Sequence, residues 1–238
     1  MFTGRNMIEK KDSFLKEAGV KFLPFVGDNY ENGISFDEKG NLMLGTSEKT
    51  LKKVLVLGES HYCDEDLTDE EMSSFTRDVL ELYLDARKSG DTTFGMKTFL
   101  KFERALANEI TGLKDSADIW NHLMFYNYLQ VPLNGVRMSG NQEEYENASK
   151  PFFKLLEIYR PDYIIVWGYH LYERLTNDNG NQGSVLSYGM ETWEYDIDGK
   201  RIKVLPVRHP VVGFSWDYWH EIIVDFFNRD SIEPMALI

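Results

Sequence analysis

Four apolar runs in this sequence each end on residues able to do chemistry. Val54-Leu55-Val56-Leu57 stops at Gly58 and leads into Glu59-Ser60-His61-Tyr62. Leu123-Met124-Phe125-Tyr126 leads into Asn127-Tyr128, and Tyr163-Ile164-Ile165-Val166-Trp167 into Gly168-Tyr169-His170. Ile202-Lys203-Val204-Leu205-Pro206-Val207 leads into Arg208-His209-Pro210. A carboxylate, an amide and imidazoles can together stabilise charge, move a proton and read the polar edge of a ligand. Singly, each has an ordinary structural role. Glu59 serves as a solvated or helix-start carboxylate, His61 as a cap, Asn127 as a turn residue and His209 as a hydrogen-bonded histidine. Together, at four strand ends, they read as one site, because ligands of open α/β sheets bind beyond the carboxyl ends of the strands.

Other chemistries fit less well. Glu59, His61, Asp64 and Glu65 are close in sequence, but no His-x-x-x-His or Glu-x-x-His pair accompanies them, so no metal is expected. Ser60 beside His61 lacks the Gly-x-Ser-x-Gly elbow, and adjacent side chains point apart. Gly58 is followed by Glu59 rather than by a second glycine, so no phosphate-cradling loop is present and no cofactor is expected.

These strand ends need a scaffold. Short runs that are apolar throughout are the mark of parallel strands covered on both faces. Helical patterns lie between them at 68–87, 97–110 and 142–159, with a bend or restart at Pro151, and a last one follows at 216–227. Thr68-Asp69-Glu70-Glu71 opens the first of these with a capping signature. Strands alternating with helices imply right-handed βαβ units. The spacing predicts a three-layer α/β/α domain with a central, mainly parallel four-stranded sheet. A hairpin around Asp198-Gly199 gives the last strand an antiparallel neighbour. The chain reads as one domain over 1–238. Its core spans 51–228, and an extension over 1–50 packs on it, with a helix near 8–18 and a hairpin near 34–44.

Composition narrows the partners. Lys plus Arg total 26 against 39 for Asp plus Glu, a net charge of −13, which disfavours tight nonspecific binding to duplex phosphates. No apolar run approaches the roughly 20 residues that span a bilayer, so no membrane partner is expected. The opening residues have no apolar stretch of signal-peptide length. The single cysteine, Cys63, excludes an internal disulfide framework and fits a reducing compartment, and a cytoplasmic location is expected.

The four strand ends, in this order, resemble the uracil-DNA glycosylase superfamily over about residues 50–228. Gly58-Glu59-Ser60-His61-Tyr62 is similar to its first motif, a Gly-led loop with a water-activating acid and, in one branch, an aromatic closing the base pocket. Asn127 matches the amide that reads the base edge, Trp167-Gly168 the end of a later strand, and Arg208-His209-Pro210 the last motif. Three positions depart from the pattern. Ser60 stands where the best-known branch has its acid, His61 where other branches have Pro or Gly, and Val211 where Ser is usual.

The resemblance implies hydrolysis of the N-glycosidic bond of a flipped uracil or related base. Glu59 would favour the cation-like sugar and orient water, with Ser60 beside it at the acid position. His209 would donate to the departing base. Asn127 would pair with the base edge, Tyr62 would stack on it, and His61 and His170 would contact phosphate or ligand. Gly58, Tyr128, Trp167, Arg208 and Pro210 would line the site, and Val212 and Phe214 would form an apolar wedge. The implied partner is DNA, single-stranded or with a flipped base. For a relative that binds without cleaving, it is a nucleotide-like small molecule. A basic rim from Arg137, Lys150, Arg174 and Arg208 would favour DNA, and an acidic one a small ligand.

Overall fold

A computed structural model describes residues 4–63, 67–90, 97–133, 135, 138–211 and 213–229. The chain runs α1 (Gly4–Glu17), β1 (Phe25–Val26), β2 (Ile34–Phe36), β3 (Leu42–Leu44), β4 (Val54–Gly58), α2 (Asp69–Ser89), α3 (Lys97–Ala107) and α4 (Leu113–Asn121). It continues through β5 (Leu123–Asn127), α5 (Gln142–Tyr159), β6 (Tyr163–Trp167), α6 (Tyr169–Tyr172), β7 (Gly180–Val185), β8 (Glu191–Ile197), β9 (Lys200–Val207) and α7 (Trp216–Asn228).

The main sheet has the order β1-β5-β4-β6-β9-β8-β7. β5, β4, β6 and β9 are mutually parallel. β1 is antiparallel to β5 at one edge, and β8 and β7 continue antiparallel from β9 at the other. The expected sheet of four, mainly parallel strands is therefore corrected to a mixed sheet of seven. The four apolar runs are its centre. The added edges escape an apolar-run reading because β1 has two residues and β7 is the polar sequence Gly-Asn-Gln-Gly-Ser-Val. Pro206 sits in β9 without harm to the ladder. β8 pairs with β9 only from Lys200 to Val204, and beyond that point β9 pairs with β6 alone.

Alternation along each strand divides the core. Val54, Val56, Phe125, Ile165, Trp167, Leu205 and Val207 face α2, α3, α4 and α7. Leu55, Leu57, Met124, Tyr126, Ile164, Val166 and Val204 face α1, α5 and α6. Every β4 residue from Val54 to Leu57 is fully buried. Each such side chain contributes about 1.5–3 kcal/mol, which pins the strand whose end carries Glu59. α2 begins where the capping signature places it, with Thr68 accepting from Glu71 N and the Glu71 carboxylate accepting from Thr68 N. α5 runs unbroken through Pro151 rather than restarting there.

Residues before 51 also build the core. Leu15, Val20, Phe22, Leu23 and Tyr30 are buried, and β2 and β3 pair as a separate hairpin. Among the described residues no helix is long and apolar enough to cross a membrane.

Candidate functional site

The order β5-β4-β6-β9 sets Asn127, Gly58-Glu59, Gly168-Tyr169-His170 and His209 side by side at the carboxyl ends of four parallel strands. The β4–α2 loop is then pinned along the segment after β5. Tyr128 N donates to Gly58 O (2.9 Å), Leu129 N to Glu59 O (2.9 Å) and Leu133 N to His61 O (2.8 Å). These bonds fix the backbone from which Glu59, Ser60 and His61 project.

Glu59 continues the Leu55–Leu57 alternation and lies on the α5 side. Its carboxylate accepts a hydrogen bond from the buried Tyr145 hydroxyl of α5 and is 3.2 Å from His170 Nδ1. Burial and the neighbouring carboxylate both raise the Tyr145 phenol, so it stays protonated and donates. His170 is partly exposed, at 42%, and the carboxylate at 18% faces the strand-end surface.

On the other face, Asn127 is 5% exposed, and its Nδ2 lies against the ring of His61. His61 is itself buried between Phe22 and Phe75, with Nε2 2.9 Å from Thr76 Oγ1 of α2. Burial pushes the His61 imidazole down to about 3. This corrects the expectation that His61 meets phosphate or ligand: it is a neutral interior ring.

His209 lies between these groups in influence. Burial lowers its imidazole, and the negative charge of Glu59 pulls it partly back. Its ring packs edge-on to Trp167 at 6.1 Å between centroids. Four polar atoms of the strand-end residues are buried without a hydrogen bond of ordinary geometry among the described residues: His209 Nδ1, Trp167 Nε1, Ser60 Oγ and Tyr128 Oη. Ser60 still sits close enough to influence the half-exposed Tyr62 phenol. Buried polar atoms are normally satisfied.

Two glycines make room. Gly168 has φ of 105°, a conformation that side chains strain to adopt, and its Cβ position lies 3.7 Å from His209 Cβ. A Cβ on Gly58 would stand 2.1 Å from Asn127 Oδ1 and 3.2 Å from Phe125. Gly58→Ala is therefore expected to displace the Asn127 amide and to lower stability by about 1–3 kcal/mol. Urea unfolding checks this, and an unchanged midpoint would contradict it.

The remaining expected residues divide between surface and core. Arg208 is exposed, with its guanidinium against Gly213, while Pro210 is buried. Tyr128 is fully buried on the α5 side, where it stacks on Tyr145, so it supports the site rather than lining it. Phe214 is 7% exposed and stacked on Trp219. A wedge must project, so Phe214 is corrected to a core residue. Val212 lies outside the described residues, as do Asp64, Glu65 and Arg137. Tyr145 and Thr76 were not legible as site partners, because each acts from a helix remote in sequence.

Next to Tyr145 opens a cleft of about 1210 Å³ whose lining sets seven carboxylates, Glu146, Asp178 and Asp196 among them, against Lys150, Lys154 and Arg174. Arg174, although exposed, donates to His170 O and lies 5.8 Å over the Tyr145 ring. This flank is acidic, not a basic rim. Among the described residues no group of three or more His, Cys, Asp or Glu is placed to hold a metal ion.

His61 also carries a pH dependence. Its folded-state value near 3 lies below the ordinary 6.5. As pH falls between these values the unfolded chain takes up a proton that the folded chain refuses. The stability present above pH 6.5 is thus lost on the way down, by up to about 1.4 kcal/mol per pH unit. Urea midpoints from pH 7 to pH 4 should fall more steeply for the wild type than for His61→Leu. Parallel slopes would contradict this burial-driven account.

No protein-family model matches this chain, and no curated protein matches it.

Proposed function

We propose that the strand-end site binds a nucleobase and hydrolyses its N-glycosidic bond. The observation that carries this reading is a carboxylate at the end of β4, held by Tyr145 and His170, on the same edge of the sheet as a partly buried His209 at the end of β9 whose Nδ1 has no partner among the described residues. Cleavage of an N-glycosidic bond develops positive charge on the sugar and negative charge on the departing base. A fixed carboxylate and a neutral imidazole donor are complementary to those two charges. Glu59, oriented by Tyr145 and His170, stabilises the sugar and positions water. His209 donates to the base oxygen, and Asn127 reads the base edge. Tyr62, 46% exposed on the same loop, offers a stacking surface.

The test is release of free base from single-stranded oligonucleotides containing uracil or hypoxanthine. Release by the wild type, lost in Glu59→Ala and His209→Ala, supports the reading. No release from any such substrate removes it.

A second reading has its own support. The acidic cleft beside Tyr145 and the net charge of −13 oppose a polyanion approaching from that flank. They favour a nucleobase or nucleotide bound as a small molecule, without DNA. Salt-insensitive binding of a free nucleobase, with no binding of oligonucleotides, would select this reading.

A further inference from the structure

Three exposed tyrosines form a row on one face of the molecule. Tyr169 of α6 and Tyr218 of α7 are each 40% exposed, and Tyr188 of the β7–β8 connection is 73% exposed. The Tyr188 and Tyr218 rings lie 6.0 Å apart between centroids, and Tyr169 and Tyr218 both pack on the buried Trp219, at 6.5 and 5.2 Å. Scattered exposed aromatics are ordinary, whereas a contiguous set on one face is what an interaction surface presents. Tyr188 also carries a backbone cost, since its φ of 60° is one that side chains strain to adopt. The loop enforces that conformation. Ser187 N donates to Asp225 Oδ2 at 2.7 Å, Leu186 N to Met190 O at 2.8 Å and Arg229 Nη1 to Val185 O at 2.8 Å.

Beside Tyr188 the row meets a cavity of about 510 Å³ between α7 and the β2–β3 turn. Its wall sets Glu38, Glu221 and Asp225 against Lys39. Asp225 is already paired with Arg229 at 3.1 Å, while Glu38 and Glu221 are exposed, as is Asp217 next to Tyr218. Arg208 stands at the other end of the row, near Tyr169. Phosphates laid along the row would run onto these carboxylates, so charge opposes a nucleic acid at the Tyr188 end and favours a cation there.

We propose that this face docks a proline-rich peptide segment of a partner protein, with a basic residue at one end of the segment. A proline-rich chain is already extended before it binds, so little ordering entropy is lost, and exposed aromatic rings pack against its pyrrolidine faces. Tyr169, Tyr218 and Tyr188 take the prolines. The cavity beside Tyr188 takes the arginine or lysine side chain against Glu38 and Glu221. The inference is independent of the nucleobase reading, because none of these side chains serves the strand-end chemistry.

The test titrates the full-length protein into four fluorescent probes: an oligoproline peptide ending in arginine, the same peptide without arginine, a version with alanine in place of proline, and oligothymidylate. The wild type is expected to bind the arginine-ended oligoproline saturably, with Kd below about 1 mM, and to bind the alanine version at least about tenfold more weakly. Tyr188→Gly should weaken the oligoproline at least about tenfold with its urea midpoint unchanged or raised, since glycine adopts that φ freely. Tyr218→Ala should weaken it as well. Glu221→Gln should weaken the arginine-ended peptide by about threefold and leave the uncharged one alone. Equal binding of the proline and alanine peptides, or full binding in both Tyr188→Gly and Tyr218→Ala, would overturn the inference. So would oligothymidylate binding that is tighter than peptide binding and lost in Tyr188→Gly. Each of these results would leave the nucleobase reading standing.

Discussion

Glu59→Gln is expected to slow base release by about 10²–10³-fold, equivalent to about 2.7–4 kcal/mol of lost transition-state stabilisation, while leaving the fold intact. Gln preserves the volume of the side chain and one oxygen to accept from Tyr145, so packing at the β4 end is kept. What disappears is the negative charge. In a site where Glu59 is 18% exposed and fixed by two partners, that charge is preorganised rather than assembled during reaction.

Tyr145→Phe and His170→Ala remove only the groups that aim the carboxylate. Their losses should be smaller, and the Glu59→Gln loss should exceed both. Single-turnover release of uracil from a single-stranded oligonucleotide makes the comparison. A Glu59→Gln enzyme within threefold of wild type would show that the carboxylate plays no part in the chemistry.

The largest expected effect on stability lies away from the strand ends, at Glu103 of α3. Its side chain is fully buried. It accepts from Tyr83 Oη at 2.6 Å, Thr111 Oγ1 at 2.5 Å, Ser116 Oγ at 2.8 Å and Trp120 Nε1 at 3.2 Å, and Arg87 Nε lies 3.8 Å away. One carboxylate thereby ties α2, α3, α4 and the segment before α4 together. Arg87 adds bonds to Thr111 O and Ser116 Oγ.

Glu103→Ala leaves these donors, and a partly buried guanidinium, without their common acceptor. The expected loss is about 3–5 kcal/mol, a large share of the 5–15 kcal/mol by which domains are ordinarily stable. Tyr83→Phe, which removes one donor, should cost about 1 kcal/mol. Glu48→Ala, at an exposed position, should fall within about 0.5 kcal/mol of wild type. Urea unfolding of the four proteins ranks them. Glu103→Ala within 1 kcal/mol of wild type would contradict the account of this network.

The centre of the fold was legible because its signals are local. The four apolar runs are β4, β5, β6 and β9, and α5 begins at Gln142 and ends at Tyr159 as its pattern predicts. The Asp198-Gly199 turn was legible as well, and it joins β8 to β9. Edges were not legible. β1 pairs two residues against β5, and β7 is recruited by the β8 ladder rather than by an apolar face of its own. α4 escaped because it is only nine residues long and its buried face includes the polar Ser116 beside Ile119 and Trp120.

Glu103 did leave a trace. It falls on the same stripe as Phe99 and Leu106, where a carboxylate interrupts apolar spacing. At the strand ends, the sequence reading singled out Glu59, Asn127 and His209, but could not say which face each would take. Asn127 turns toward α2 and Glu59 toward α5, because Asn127 is in register with Gly58 and Glu59 is the next residue along the alternation. His61 was misread because its burial depends on Phe22 and Phe75, which no local pattern links to it.

The central claim concerns where a base docks, and a titration of histidine-labelled protein with uracil addresses it most directly by NMR. The account predicts that the His209 ring nitrogens shift progressively and saturably, together with the Asn127 side-chain amide and the Glu59 backbone amide. Shifts confined to the acidic cleft around Glu146 and Asp178, with His209 unmoved at saturation, would contradict it.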